Sequence, residues 1–182
     1  GQSFVDDYVA WNINSSKSIG LKVINAGGTE FFKRSGEADN FELDDVVPEY
    51  GVSSRQILKT LNIANENLNI PHPVHVHCNN LGMAGNVKSI LNTIDAAQDR
   101  RMHLAHIQFY GYGNEGKKGF SSGSEQLAQK INSNKNISVD IGQVMFKPTM
   151  TISSDIWKQN QAKSYASPKK WIISEVEDGG GG

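Results

Sequence analysis

The sequence has 182 residues, 37% of them hydrophobic and 20% charged, with a formal net charge of −1. That is enough chain for one domain with a real core, and the near-neutral balance carries no electrostatic footprint for nucleic acid. No apolar run approaches the roughly 18–20 residues that span a bilayer, and a single cysteine, Cys78, excludes an internal disulfide and fits a reducing, cytoplasmic setting.

Residues 3–16, SFVDDYVAWNINSS, place Phe4, Tyr8 and Trp11 at helical spacing. A short β-rich run follows, SIGLKVIN, with Lys22 inside it. Residues 27–51 are acidic and aperiodic and read as a long loop, a feature that in compact domains is usually functional. SSRQILKTLNIANENLN is a helix: Ser53 and Gln56 form an S-x-x-Q capping box, and Ile57, Leu61, Ala64 and Leu68 line one face. Pro71 and Pro73 mark the break before VHVHCNN, the next strand. LGMAGN is a turn, and Asn86 is a candidate cap for a helix whose apolar face is Val87, Ile90, Leu91, Ile94 and Ala97. MHLAHIQF reads as a third strand running into the glycine-rich YGYGNEG. Ser124 then opens a short helix carrying Leu127, Ala128 and Ile131, and NISVDIGQVMF is a fourth strand. The tail beyond it has room for a fifth short strand.

Alternating strands and helices predict an α/β protein with a parallel sheet. Two architectures satisfy the pattern, a doubly wound open sheet and a (β/α)8 barrel, and both place their chemistry at the carboxyl ends of the strands.

The histidines sharpen that expectation. Successive strand residues face opposite sides, so His75 and His77 share one face while Val74, Val76 and Cys78 share the other. His77 and His106 fall near the C-terminal ends of consecutive strands, and Lys22 near the end of the strand before them. A neutral imidazole is the commonest metal ligand, so His77 and His106 together are candidates to hold a cation, with His75 as the alternate. His103 reads as a core histidine bonded to a backbone carbonyl, and His72, between two prolines, as loop. Lys22 on an apolar strand is expected to be buried, which is rare for an unpaired lysine and depresses the amine pKa. Such an amine can form a Schiff base or take up CO2 as a carbamate that bridges two metal ions; snorkelling to the strand end is the structural alternative. The glycine loops NAGG and YGYGNEG match neither a P-loop nor the G-x-G-x-x-G fingerprint and read as strand-end loops. Cys78, facing away from the histidines, reads as packing.

A lysine on LKV followed by one histidine on each of the next two strands resembles the amidohydrolase superfamily. The resemblance extends to the amidohydrolase-like A subunits of formylmethanofuran dehydrogenase and of the bacterial formyltransferase/hydrolase complex. It is carried by IGLKVINAGG, YGVSSRQIL, PHPVHVHCNNLGMAGN, HLAHIQFYGYG and SVDIGQVMF, which together span most of residues 4–146. The resemblance implies a (β/α)8 TIM barrel of the amidohydrolase type, of which residues 1–182 supply only the central βα units. It implies two zinc ions bridged by a CO2-derived carbamate on Lys22 and held by His77 and His106. The implied chemistry makes or breaks the N-formyl bond of a methanofuran-type one-carbon carrier, in a complex with other subunits and with neither nucleic acid nor membrane as partner. Asn79, Asn80 and Gln108, just past the ligand positions, become substrate contacts, or else turn and strand-end caps.

Two departures from the family pattern stand out. Its first-strand H-x-H ligands are not found, and Asp178 lies too early and too close to glycines to be its last-strand aspartate. The expectation is therefore a segment of a longer protein that holds half a site, inactive alone, with its general base elsewhere. The start without Met and the stop at SEVEDGGGG fit that expectation, an added glycine tail being the alternative. Another amidohydrolase, such as a dihydroorotase or hydantoinase relative, keeps the site and changes the substrate; a non-catalytic α/β scaffold makes the histidines structural.

Overall fold

The computed structural model describes residues 1–28, 40–47, 50–116 and 119–142. In chain order they form α1 (Gln2–Ser16), β1 (Lys22–Ile24), α2 (Ser54–Asn67), β2 (Val74–His77), α3 (Val87–Ala96) and β3 (Met102–Leu104). A 3-10 turn (Ile107–Tyr110), the short strands β4 (Tyr112–Gly113) and β5 (Ser121–Ser122), α4 (Ser124–Ser133) and β6 (Ile137–Val139) complete the described fold. β1, β2, β3 and β6 make one parallel sheet in that order. Neighbours along the chain are neighbours in space, and the strand order does not reverse.

The register sorts the side chains into rows. Lys22 pairs with His75, His75 with His103 and His103 with Ser138. The flanking rows are apolar: Val74, Met102 and Ile137 on one side, Val23, Val76 and Leu104 on the other. All six of these apolar residues are buried, in one cluster with Leu58 of α2, Ile90 and Ile94 of α3, and Leu127 of α4. The helices therefore cover the apolar rows, and the polar row faces the other side. Fully burying an aliphatic side chain is worth about 1.5–3 kcal/mol, and a one-residue slip in register would exchange the two sets of rows.

α1 packs on α2 through Val9, Ala64 and Ile70, with Val5, Ile13 and Leu61 beside them. The aromatic stripe Phe4, Tyr8 and Trp11 shares the helical period but is exposed, at 72%, 58% and 64%. Both stripes repeat at helical spacing, and the packing against α2 selects the aliphatic one. α2 starts as its sequence predicts. Ser53 N–H donates to Gln56 Oε1 (2.8 Å) and Gln56 N–H to Ser53 Oγ (3.3 Å), a reciprocal capping box.

Asn86 occupies the cap position of α3 but makes no capping bond. Its amide is spent elsewhere: Nδ2 donates to the carbonyls of Asn80 (2.9 Å) and Phe109 (2.7 Å), and Oδ1 accepts from Tyr112 N–H (3.1 Å). One side chain thus ties the loop after β2 to the segment after β3. β3 stops at Leu104 instead of running through MHLAHIQF, because His106 adopts a left-handed φ of 37° that no strand accommodates. The glycine-rich loop carries an antiparallel ribbon, β4–β5, that its composition does not reveal. In NAGG, Gly27 has φ +81°, and a Cβ on it would strike Val47, while one on Gly28 would strike the Asn25 amide. Gly27 thus serves close packing of residues 40–47, where Phe41, Leu43 and Val47 are buried, and Gly28 makes room for Asn25. The expected fifth strand, the end of the fourth and Asp178 lie outside the described residues. No helix among the described residues is long and apolar enough to cross a membrane.

Asn86 is fully buried, and leaving a buried donor or acceptor without a partner costs about 1–3 kcal/mol. Asn86→Ala is expected to lower the unfolding free energy by at least that much with an unchanged denaturant slope, as read by urea titration.

Candidate metal centre

The polar row and the residues just above it converge at one end of the sheet. His77 is the last residue of β2, and His106 lies two residues past β3. Their rings meet edge to face with centroids 4.3 Å apart, and His77 Nδ1 and His106 Nε2 share a hydrogen bond of 2.7 Å. The two histidines selected on strand-end position are thus brought into direct contact.

His106 is held from two sides. Its backbone N–H donates to Asp140 Oδ1 (2.6 Å), and its ring stacks on Tyr110 at 5.7 Å and 19°. Tyr110 is fully buried, and its hydroxyl donates to the Cys78 carbonyl (2.9 Å), so the end of β2 supports the ring that faces His77. Cys78 itself is buried, and burial pushes its thiol up to about 12, an inert packing residue.

Below this pair lies a second one. The His75 and His103 rings are 4.9 Å apart, and His75 stacks on His77 at 5.4 Å. His103 is not a core histidine on a carbonyl, as its apolar strand suggests. It is half-buried, with Nδ1 bonded to Ser138 Oγ (2.9 Å) and Nε2 to Asp140 Oδ2 (3.0 Å). Asp140 is a site residue that sequence reasoning misses; the available cue is a lone carboxylate two residues past Ser138, hence on the same side of the fourth strand.

Burial, reinforced by positive charge on His106, Lys22 and His75, lowers the His77 pKa to about 4. Burial also lowers that of His75, with His103 and Lys22 adding to it. Asp140 is pushed up by burial but ends below its ordinary value, because His103 and the His106 N–H bond to its carboxylate. At neutral pH His75 and His77 are uncharged and Asp140 ionised, the states that bind metal without first losing a proton.

Lys22 departs from expectation. It is exposed, and its register partner is His75; Ile24 is the residue opposite His77. Asn79 and Asn80 are buried and committed to the fold. Asn79 Nδ2 donates to Ser54 Oγ (3.0 Å), and Asn80 clamps Phe41 by accepting its N–H (2.9 Å) and donating to its carbonyl (3.1 Å). Gln108 is exposed and donates to the Gly142 carbonyl. His72 lines, with Lys22, His75 and His103, a cavity of about 850 Å³ on the polar side of the sheet.

The donor set fits zinc. Among the described residues, His106 Nδ1 and His75 Nε2 are buried nitrogens with no hydrogen-bond partner, an arrangement native interiors avoid. Zn–N bonds of about 2.0–2.1 Å in a tetrahedron set ligand nitrogens roughly 3.3 Å apart, so a small separation of the His77 and His106 rings makes room for an ion between them.

A parallel α/β unit with convergent imidazoles at neighbouring strand ends is the class that fold and site define. No protein-family model matches the sequence. Across its whole length the chain is 43% identical to the A subunit of the formyltransferase/hydrolase complex Fhc of Methylorubrum extorquens, covering 34% of that protein. It is 34% identical over 160 residues to protein FwdA of Methanocaldococcus jannaschii, a match that covers 81% of this chain and 28% of FwdA. The crystal structure of the formyltransferase/hydrolase complex FhcABCD from M. extorquens, in complex with methylofuran, contains a chain that matches with a TM-score of 0.75 and 44% identity. The match covers all of this chain and 33% of that one. The chain belongs to the family of FwdA and the Fhc A subunit, and it spans about a third of the length of these relatives.

The lowered His77 pKa links the site to stability. Unfolding returns His77 to its ordinary value of 6.5 from about 4, so the unfolded chain binds more protons between these pH values and stability falls as pH drops through that window. His75 shifts in the same direction. His77→Asn is expected to flatten the pH dependence of the melting temperature between pH 4 and 6.5, measured on metal-free protein.

Proposed function

We propose that this chain forms the middle of an amidohydrolase-type (β/α)8 barrel and contributes part of a zinc-dependent centre that makes or breaks the N-formyl bond of a methanofuran-type carrier. The observation that carries the reading is the contact of His77 with His106 at adjacent strand ends, in a chain related throughout to the A subunit of Fhc. The barrel is supported by the sheet itself. A doubly wound sheet reverses its strand order and carries helices on both faces, whereas this one runs in sequence with its helix-borne core on one face.

Cleaving an N-formyl amide needs an activated water, a polarised formyl oxygen and a proton for the leaving amine. Zinc, when bound, supplies the first two, as Lewis acid and by lowering the pKa of water. In this reading His77 and His106 would hold the metals, with His75 as the alternate ligand, and Lys22, as a CO2-derived carbamate, would be the further ligand that neutralises their charge. Asp140 and Tyr110 fix the His106 ring toward His77. His77 stays neutral at working pH and keeps its lone pair available. The general acid–base group that protonates the amine lies outside the residues of this centre. The same arrangement serves formyl hydrolysis or, in reverse, condensation of formate with the amine.

Other subunits of a formyltransferase/hydrolase or formylmethanofuran dehydrogenase complex are the proposed partners, in the cytoplasm. The FhcABCD crystal structure, a multi-subunit complex with methylofuran, supports both the partners and the carrier class.

Lys22→Ala in the full-length protein is expected to lose most of the bound zinc and to lower deformylation of a formylated furan-methylamine by at least roughly 100-fold. Short carboxylic acids are expected to restore part of the activity by standing in for the carbamate. Unchanged zinc content and turnover would remove Lys22 from the centre.

A further inference from the structure

We infer a second cation site one row below the strand ends, in which His75, His103 and Asp140 bind a divalent ion of the zinc class and leave a coordination position open to the cavity. It needs neither His77 nor His106 as a ligand, and it assigns His75, the alternate ligand of the strand-end centre, to this site instead. The three residues come from three different strands or strand ends, and their donor atoms all lie within 4.8 Å of one another. His75 and His103 are register partners on β2 and β3, so the sheet itself sets their spacing. His75 Nε2 is buried and has no hydrogen-bond partner.

The protonation chemistry is already arranged. His103 Nε2 faces Asp140 Oδ2 at 3.0 Å. For Nε2 to ligate, the ring proton must sit on Nδ1, and Ser138 Oγ stands 2.9 Å from Nδ1 to accept it. A ligating histidine normally donates its other N–H to such a partner. Asp140 cannot swing away, because its other oxygen takes the His106 N–H at 2.6 Å.

Two imidazoles and one carboxylate form the ligand set of a three-coordinate protein site with a free fourth position; the same set also suits Fe2+. His75 and His103, though not Asp140, line a cavity of about 850 Å³ among the described residues, so a fourth position on their side has room for water or a small anion. The Lys22 ammonium acts on His75 electrostatically.

The test counts metal in the full-length protein after loading with Zn2+ and removal of loosely held ions, with Co2+ absorption as the second readout. His75→Ala/His103→Ala is expected to lower the count by about one equivalent, and His77→Ala/His106→Ala to retain that equivalent. Asp140→Asn, which keeps an oxygen for the His106 N–H, is expected to weaken Co2+ binding at this site by about tenfold or more with an unchanged circular-dichroism spectrum. An unchanged count in His75→Ala/His103→Ala, or no metal left in a natively folded His77→Ala/His106→Ala, would overturn the inference. If His77→Ala/His106→Ala keeps every equivalent, the strand-end centre fails and this site stands.

Discussion

Asp140 fastens β6 to the residues that follow β3. Its N–H donates to the Leu104 carbonyl (3.1 Å), and its own carbonyl accepts from Ile107 N–H (3.0 Å). Its carboxylate takes the His106 N–H on one oxygen and His103 on the other. The backbone bonds extend the parallel ladder one step past the strand ends, and the carboxylate bonds fix the turn it leads into. A left-handed histidine is an uncommon backbone state, and bonds to an ionised carboxylate are roughly twice as strong as neutral ones. That turn swings the His106 ring across the end of β2 onto His77. Without it the third strand would carry its histidines on alternate faces and the two imidazoles would not meet.

The same sheet meets two opposed demands. Its apolar rows carry the packing energy against α2, α3 and α4, while the row Lys22, His75, His103 and Ser138 contributes polar groups to the opposite side. Because both sets sit on the same strands, the burial that stabilises the fold also fixes the spacing of the site. The asparagines after β2 extend this coupling. Asn79 and Asn80 bind Phe41 and α2, and Asn86 binds the loop that holds Phe109 and Tyr112, so the loops beside His77 and His106 are held by a buried polar network. Such networks rigidify when every member is satisfied.

Much of this is legible in the sequence, for identifiable reasons. The period of 2 in VHVH places both histidines of β2 on one face, and the S-x-x-Q box marks the start of α2; both are local signals. The roles of Asn86 and of His103 are not legible, because each depends on a partner about 20 or more residues away: Phe109 and Tyr112 for one, Ser138 and Asp140 for the other. Lys22 reads as buried because an apolar strand suggests cover on both sides, whereas only its Val23 side is buried. Phe4, Tyr8 and Trp11 show the limit of periodicity: two stripes of one helix fit the same period, and only the partner helix decides which is inside.

The proposed site stands or falls on whether His77 and His106 ligate a shared metal ion. Anomalous diffraction at the zinc edge, on crystals of the full-length protein, tests it most directly. An anomalous peak is expected within zinc-bonding distance of one nitrogen of each ring, about 2.0–2.1 Å. Clear density for both rings, still hydrogen-bonded to each other, with the zinc signal elsewhere, would contradict it.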